Sequence, residues 1–551
     1  MPRPERVAAP NDLTHPQQPV APGPRRPNEA WWLTGASFVV YVLAALYLID
    51  KIHFIAGDAA SRVANAYYVL FSHNPHLGAI GFVWNPLPSI LELPLVALHP
   101  WIPQVVTEAF AGSAISAMMG ALSVYHLDRI LTTSIPLPRP LRLMMVLAFA
   151  FNPLIILYGA NGMSDIMWVA CILGTYSGLL AFFQTGSLRR LISGALWLAA
   201  GFGMRYEAIP FGFLLLLVFV LGRGTPSTMT RRRGAAIIFA APIVFAGGVW
   251  MYFNWLIMKN PLYFLNSSYS NLAQTATGAY LTPAVAAADH HLWESLLSVL
   301  RFGVFYWPIY IGLAFALRYS VGRHRDDRAA VLVMGTIGCE LLEWALLYKG
   351  SLGEWDRYFL EFIPNGILLT AYLISKTRSH WSGWSKMWKV PAATITMAMV
   401  LSGSAGTVWA LQYPSLNAPD GTVIDAAYHQ QSLEDSGNNP FWHTRDVVNY
   451  VNRHPHMTIL ADTFIDWPVI IQAKHLNQFI ITSDYDFNSI LFNPRGRVSA
   501  FLVPKPSGVA QLDAINRAWP GLWAGRVPWA KLIKQFPNSQ YRLYEILPSA
   551  P

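Results

Sequence analysis

About 11 stretches of this chain are apolar over the roughly 20 residues that an α-helix needs to cross a bilayer. They lie at 31–49, 107–127, 142–158, 165–184, 191–206, 208–222, 234–257, 301–317, 329–348, 358–376 and 391–411. A backbone in lipid must satisfy its own hydrogen bonds, so the pattern predicts an all-α polytopic membrane protein of about 11 transmembrane helices. Composition points the same way. Of 551 residues, 54% are apolar and 13% charged, with a mean hydropathy of +0.33, which excludes an ordinary soluble enzyme. The run from Pro86 to Leu98 is short and broken by Pro86, Pro88 and Pro94, so it is read as an interfacial or re-entrant helix.

Residues 1–30 are rich in Pro and Arg without an apolar face and are expected to form a disordered tail rather than a cleaved signal. Arg25 and Arg26, Arg129 to Arg142, Arg189 and Arg190, Arg223 to Arg233, Arg318 to Arg328 and Lys376 to Lys389 then all fall on one side of the membrane. Cytoplasmic loops carry such an excess. The amino terminus is therefore expected inside. Residues 50–106, 159–164, 259–300, 349–357 and 412–551 are expected outside a plasma (inner) membrane. The net charge of +9 is orientation signal, and no nucleic-acid partner is expected. Cys171 and Cys339 lie inside apolar runs and indicate neither a disulfide framework nor a cysteine metal site.

The chain changes character after residue 411. A helix at Arg445–Arg453, the strand-like runs MTILAD, QFIIT, VSAFLV and YRLYEIL, and an amphipathic stretch from Val509 to Trp519 predict a small extracytoplasmic α/β domain over 412–551. Asp462 and Asp466 read as turn or capping residues.

Chemistry gathers at the outer ends of the spans. Asp58 heads the helix-like GDAASRVANAYYVLF just after the first span, where it can cap the helix or act as a base at the water–lipid boundary. Asp165 opens the fourth span, Arg205 and Glu207 sit in GMRYEAIPF, and Glu340 and Glu343 lie near the end of the ninth. Arg357, Tyr358 and Glu361 stand in EWDRYFLEFIPN. Ionisable groups at span edges pair or serve a site. Local bridges, Arg357 to Glu361 and Arg205 to Glu207, are the structural alternative. A shared outward cavity accounts for the whole set more simply. His290, His291 and Glu294 in DHHLWES make a weak metal set, because adjacent histidines do not face one ion on a regular helix. The loop containing NPLYFLNSSYSNL is expected to close over a substrate.

The order of these features over residues 31–411 resembles the glycosyltransferase-C superfamily. Its lipid A aminoarabinose transferases, protein O-mannosyltransferases and related polyprenyl-phosphate-sugar transferases are the most similar members. The resemblance implies transfer of a sugar from a polyprenyl-phosphate donor to a lipid, glycan or protein acceptor, with inversion. It implies Asp58 and Asp165 as catalytic acids and Arg205 and Arg357 as donor-phosphate ligands. Arg62, Asn85, Glu207 and Tyr358 are the implied substrate contacts. Many relatives carry a second acid directly after the first, where this chain has Ala59. No metal ligands are assigned; a divalent metal is the one cofactor the resemblance leaves open. The rival functions are an oligosaccharide-lipid ligase and a non-enzymatic lipid-sugar transporter or flippase. Paired halves with interrupted helices would mark a transporter. None is visible in the sequence.

Overall fold

The computed structural model describes residues 28–548 apart from 223–225, 279–280, 322–324, 354, 379–385, 414–417 and 437–438. The expected disordered tail lies almost wholly outside the described residues, as do parts of three basic loops. Among the described residues, seven helices are long and apolar enough to cross a membrane, or nine if two bent pairs each count as one span. The shortfall from the expected count is Leu188–Met204 and Ala208–Val220, of 17 and 13 residues. At about 1.5 Å per residue they measure about 25 and 20 Å, at or below the lower length limit of about 17 residues for a spanning helix. The charged turn Arg205–Glu207 between them cuts what would otherwise be a continuous apolar run.

The bent pairs have local causes. Arg139–Ala150 and Pro153–Ala160 meet at 55°, where the Asn152 side chain caps the second helix and Pro153 begins it. Leu292–Tyr306 and Ile309–Ser320 meet at 105° beside Pro308. One end of the bundle gathers paired charges. Arg142 bonds Glu29, Arg232 bonds Asp327, and Lys376 and Arg328 hold Asp326 at 2.7 and 3.0 Å.

The other end carries the C-terminal sheet. Strands β1 (Ile459–Ala461), β2 (Phe479–Ile481), β3 (Ala500–Pro504), β4 (Ala530–Phe536) and β5 (Tyr541–Ile546) order as β2-β1-β3-β5-β4. β1 runs parallel to β2 and β3, while β5 is antiparallel to β3 and β4. Four strands match the sequence reading. The fifth, AKLIKQF, is an edge strand exposed along nearly its whole length, so it lacks the alternation that betrays a half-buried strand. The expected Val509–Trp519 stretch is divided at Asp513, whose carboxylate caps Ala514–Ala518. Asp462 is likewise a cap, of Thr463–Gln472. The helix Gly57–Phe71 joins the two halves, because Val63, Ala64 and Tyr68 pack in one apolar core with Val447, Ile470 and Phe479.

Asp466 and Asp513 are fully buried beside Asp462. Burial first, and then the neighbouring carboxylates, push both well above the usual range. Groups raised in the folded state contribute stability below their unfolded value, near 4, and lose it as pH rises through the folded value. The sheet domain is therefore expected to weaken as pH rises. Asp466→Asn keeps an acceptor for the Asp462 N–H and removes the charge. In thermal melts of the full chain between about pH 5 and 9, that variant should lose less stability than the native protein. A decline as steep as the native one would contradict this.

Candidate active site

Asp58 is not a cap. Ala56 occupies the cap position and no side chain bonds there, so Asp58 is the second helical residue and its carboxylate is free to face outward. It accepts a hydrogen bond from Arg357 Nη1 at 2.6 Å, with its side chain 44% exposed. The surrounding protein pushes the Asp58 carboxyl up, but the Arg357 and Arg62 cations outweigh this and hold it below its ordinary value. Arg357 stands in the 3₁₀ turn Asp356–Phe359, ahead of the helix Phe362–Arg378. Its Nη2 donates to the Tyr358 hydroxyl at 3.1 Å, and its guanidinium lies 4.6 Å from the Trp355 ring centre. It bridges to Asp58 rather than to Glu361 one turn on.

Arg205 follows the helix Leu188–Met204 in an extended conformation. Its Nη1 donates to Asp165 Oδ1 at 2.5 Å and its Nε to Glu207 Oε1 at 2.6 Å. The local bridge forms, and with it a long-range one. Asp165 is in the first turn of Ser164–Thr185, so the pair ties two span ends together. The Tyr358 ring centre is 5.3 Å from the Arg205 guanidinium and 4.9 Å from that of Arg357, so one aromatic ring connects the two ion pairs. Glu340, Glu343 and Glu361 are buried in the electrostatic range of Glu207.

Arg62, one turn beyond Asp58, is 9% exposed, and its Nε and Nη1 are buried with no hydrogen-bond partner. Asp58, Asp165, Arg205 and Glu92 are its electrostatic neighbours. A guanidinium kept this dry without hydrogen-bond partners costs free energy, which the charges of the neighbouring carboxylates offset in part. Asn85 is turned elsewhere: its Nδ2 donates to the Phe202 carbonyl at 2.6 Å and fastens the WNPLP segment to the helix that delivers Arg205.

Close backbone approach explains Ala59. Gly162 has φ +79°, and a Cβ built on it would stand 3.0 Å from the Ala59 Cβ and from the Gly112 carbonyl carbon. The loop leading to Asp165 thus presses directly on the Asp58 helix, and Ala59 is 1% exposed. A second carboxylate at that position would have no room. Among the described residues, no group of three His, Cys, Asp or Glu side chains is arranged to hold a metal. His290 is 73% exposed at the side chain, and its backbone has φ +56°.

Beside the Arg205–Glu207 turn opens an apolar groove of about 320 Å³. Phe202, Ile209, Phe213, Trp250 and Phe264 are among its lining residues, on the two short helices, on Pro226–Met258 and on the one-turn helix Tyr263–Asn266 that follows. Phe264 stacks on Tyr206, the neighbour of Arg205, with ring centres 5.1 Å apart.

A crystal structure of ArnT from Cupriavidus metallidurans bound to undecaprenyl phosphate aligns with 95% of this chain and 98% of its own, at a TM-score of 0.53 and 11% identity. The chain has the glycosyltransferase-C fold. The Archaeoglobus fulgidus oligosaccharyltransferase in the apo form is a more distant likeness, with TM-score 0.44 and 9% identity over 86% of this chain and 70% of that one. No protein-family model matches the sequence, and no curated protein matches it significantly.

Within this glycosyltransferase-C fold, two residues near the cluster escaped the sequence reading. Tyr158 lies in the last turn of the bent helix pair and donates to Asp420 Oδ2 at 2.6 Å. Asp420 comes from Ala418–His429, beyond the last span. Tyr158 is the first residue of YGANGMSDIMW, which was singled out for its acid. Asp420 carries no signal in the sequence, since it and Asp425 in APDGTVIDAAYH look like a solvated face.

Proposed function

We propose that the protein transfers a sugar from a polyprenyl-phosphate donor to a lipid, glycan or protein acceptor, at the membrane face that carries the C-terminal sheet domain. The observation that carries this reading is the juxtaposition of Arg62, Arg205 and Arg357 with an apolar groove beside the Arg205 turn. A lipid phosphate needs both: fixed, always-charged donors for its head and apolar walls for its chain. The fold of an undecaprenyl-phosphate-bound protein supports the same class of donor.

In the mechanism we infer, Asp58 removes the proton of the acceptor hydroxyl as its oxygen attacks the anomeric carbon, and the C–O bond to phosphate breaks. Guanidinium groups receive the charge that develops on the leaving phosphate. A single displacement of this kind inverts the configuration. Asp165 acts through Arg205, holding its fork in place from a second span. Arg357 has a double duty. Before donor arrives it neutralises Asp58, and a phosphate that engages Arg357 competes with that carboxylate. The competition withdraws the charge that holds the Asp58 carboxyl low, so donor binding strengthens the base.

The orientation belongs to the same proposal, with residues 31–411 in the membrane, the amino terminus cytoplasmic and residues 412–551 outside an inner membrane. An impermeant thiol reagent on intact cells should label Ser507→Cys and spare Thr185→Cys; the reverse would invert the model. The activity itself is tested by incubating the purified protein in vesicles with polyprenyl-phosphate sugars and envelope extract. Release of polyprenyl phosphate together with a glycosylated acceptor is expected. Transfer of a preassembled oligosaccharide from a lipid diphosphate instead would move the protein to the ligase class.

A further inference from the structure

The pair Tyr158–Asp420 is built in a way that packing alone does not require. Ala418–His429 arrives from outside the bundle and is pinned to the exit of the first span. Tyr47 donates to the Ala427 carbonyl at 2.8 Å and the Leu433 N–H to the Ile52 carbonyl at 2.7 Å. Just beyond, Asn439 Nδ2 donates to the His53 carbonyl at 2.8 Å. This joint also fixes the start of the Asp58 helix, four residues after His53. From it one carboxylate, Asp420, is lowered to 9% exposure. Its Oδ2 accepts a hydrogen bond from the Tyr158 hydroxyl, which is on a residue 1% exposed, and its Oδ1 makes no hydrogen bond among the described residues. Arg357 and Asp165 are electrostatic neighbours of both Asp420 and Tyr158, so the pair stands within range of both ion pairs of the cluster. Asp356, 1% exposed, is a further acid in range of Asp420.

We propose that Asp420, oriented by Tyr158, is a specificity residue that accepts a hydrogen bond from a hydroxyl of the transferred sugar. This rests on the donor reading given above. The sugar is bonded to the phosphate that Arg357 would hold, so the sugar ring must lie within a few ångströms of that guanidinium. An ionised carboxylate only accepts, and sugar hydroxyls are the donors that suit it. Because the Tyr158 proton is directed at Oδ2, Oδ1 is left for the ligand. Burial, partly offset by Tyr158 and Arg357, raises the Asp420 carboxyl to about 6, so it is mostly ionised near neutrality and acquires a proton in mild acid.

The test compares the affinity of the purified full-length protein for undecaprenyl phosphate with its affinity for undecaprenyl-phosphate glucose and undecaprenyl-phosphate mannose. The native protein should bind at least one sugar-bearing lipid more tightly than the bare one, by about tenfold, the size expected of a hydrogen bond to a charged group. Asp420→Asn should erase most of that preference and leave affinity for undecaprenyl phosphate within about twofold. Tyr158→Phe should act in the same direction. The preference of the native protein should also fade below about pH 6 and become independent of pH in Asp420→Asn. Equal binding of all three lipids by the native protein overturns the proposal, as does parallel loss of bare and sugar-bearing binding in both variants. Failure of the native protein to bind undecaprenyl phosphate would instead remove the donor reading, and this subsite with it.

Discussion

Replacing Asp58 by Asn is expected to lower turnover by roughly 10²-fold or more while leaving donor affinity unchanged or slightly higher. The cap position belongs to Ala56, so the substitution breaks no capping bond, and the new amide keeps an oxygen that can accept from Arg357, whose side chain is 16% exposed. It removes the basic oxygen and replaces the charged partner of Arg357 Nη1 with a neutral amide acceptor. A phosphate then meets only a weak, uncharged competitor for that donor. Steady-state kinetics and donor binding on one preparation separate these effects. Near-normal turnover would reject Asp58 as the base, and a large fall in donor affinity would reject the competition for Arg357.

Arg357→Ala is expected to weaken donor binding by about tenfold to a hundredfold, the range of one or two charge-assisted hydrogen bonds. Arg357→Lys should recover part of it, keeping the charge and losing the planar fork. Arg205→Ala should be at least as damaging but less informative. It strands Asp165 and Glu207, whose side chains are 1% and 9% exposed, and leaving a buried carboxylate unpaired costs about 3–5 kcal/mol. Its loss of function should be accompanied by loss of thermal stability, whereas Arg357→Ala should melt close to the native protein. Normal donor affinity in a folded Arg357→Ala variant would take this residue out of the phosphate site.

Much of the architecture is legible because lipid leaves a helix few alternatives, so span length and basic loops carry the message. The span count is less legible where chemistry interrupts an apolar run, as at Arg205–Glu207. Asp58, Asp165, Arg205 and Arg357 stand out in sequence because charge at a span end is costly and needs a reason. Their partners do not. That Arg357 reaches Asp58 across 299 positions, and not Glu361, follows from packing of remote helices. The Gly162–Ala59 contact explains a missing second acid only once both backbones are in place. Asp420 is hidden for a different reason: it reaches the site from beyond the last span, where one carboxylate in a polar stretch carries no periodic or energetic mark.

In the proposed donor complex a lipid phosphate lodges among three arginines with its chain in the apolar groove. The most direct measurement is a structure of the protein bound to undecaprenyl phosphate. Phosphate density in contact with Arg357 and at least one of Arg62 and Arg205, continuous with a chain running past Phe264, Trp250 and Phe213, is the predicted result. Phosphate bound elsewhere, with Arg357 still paired to Asp58 and the groove holding no chain, would contradict it.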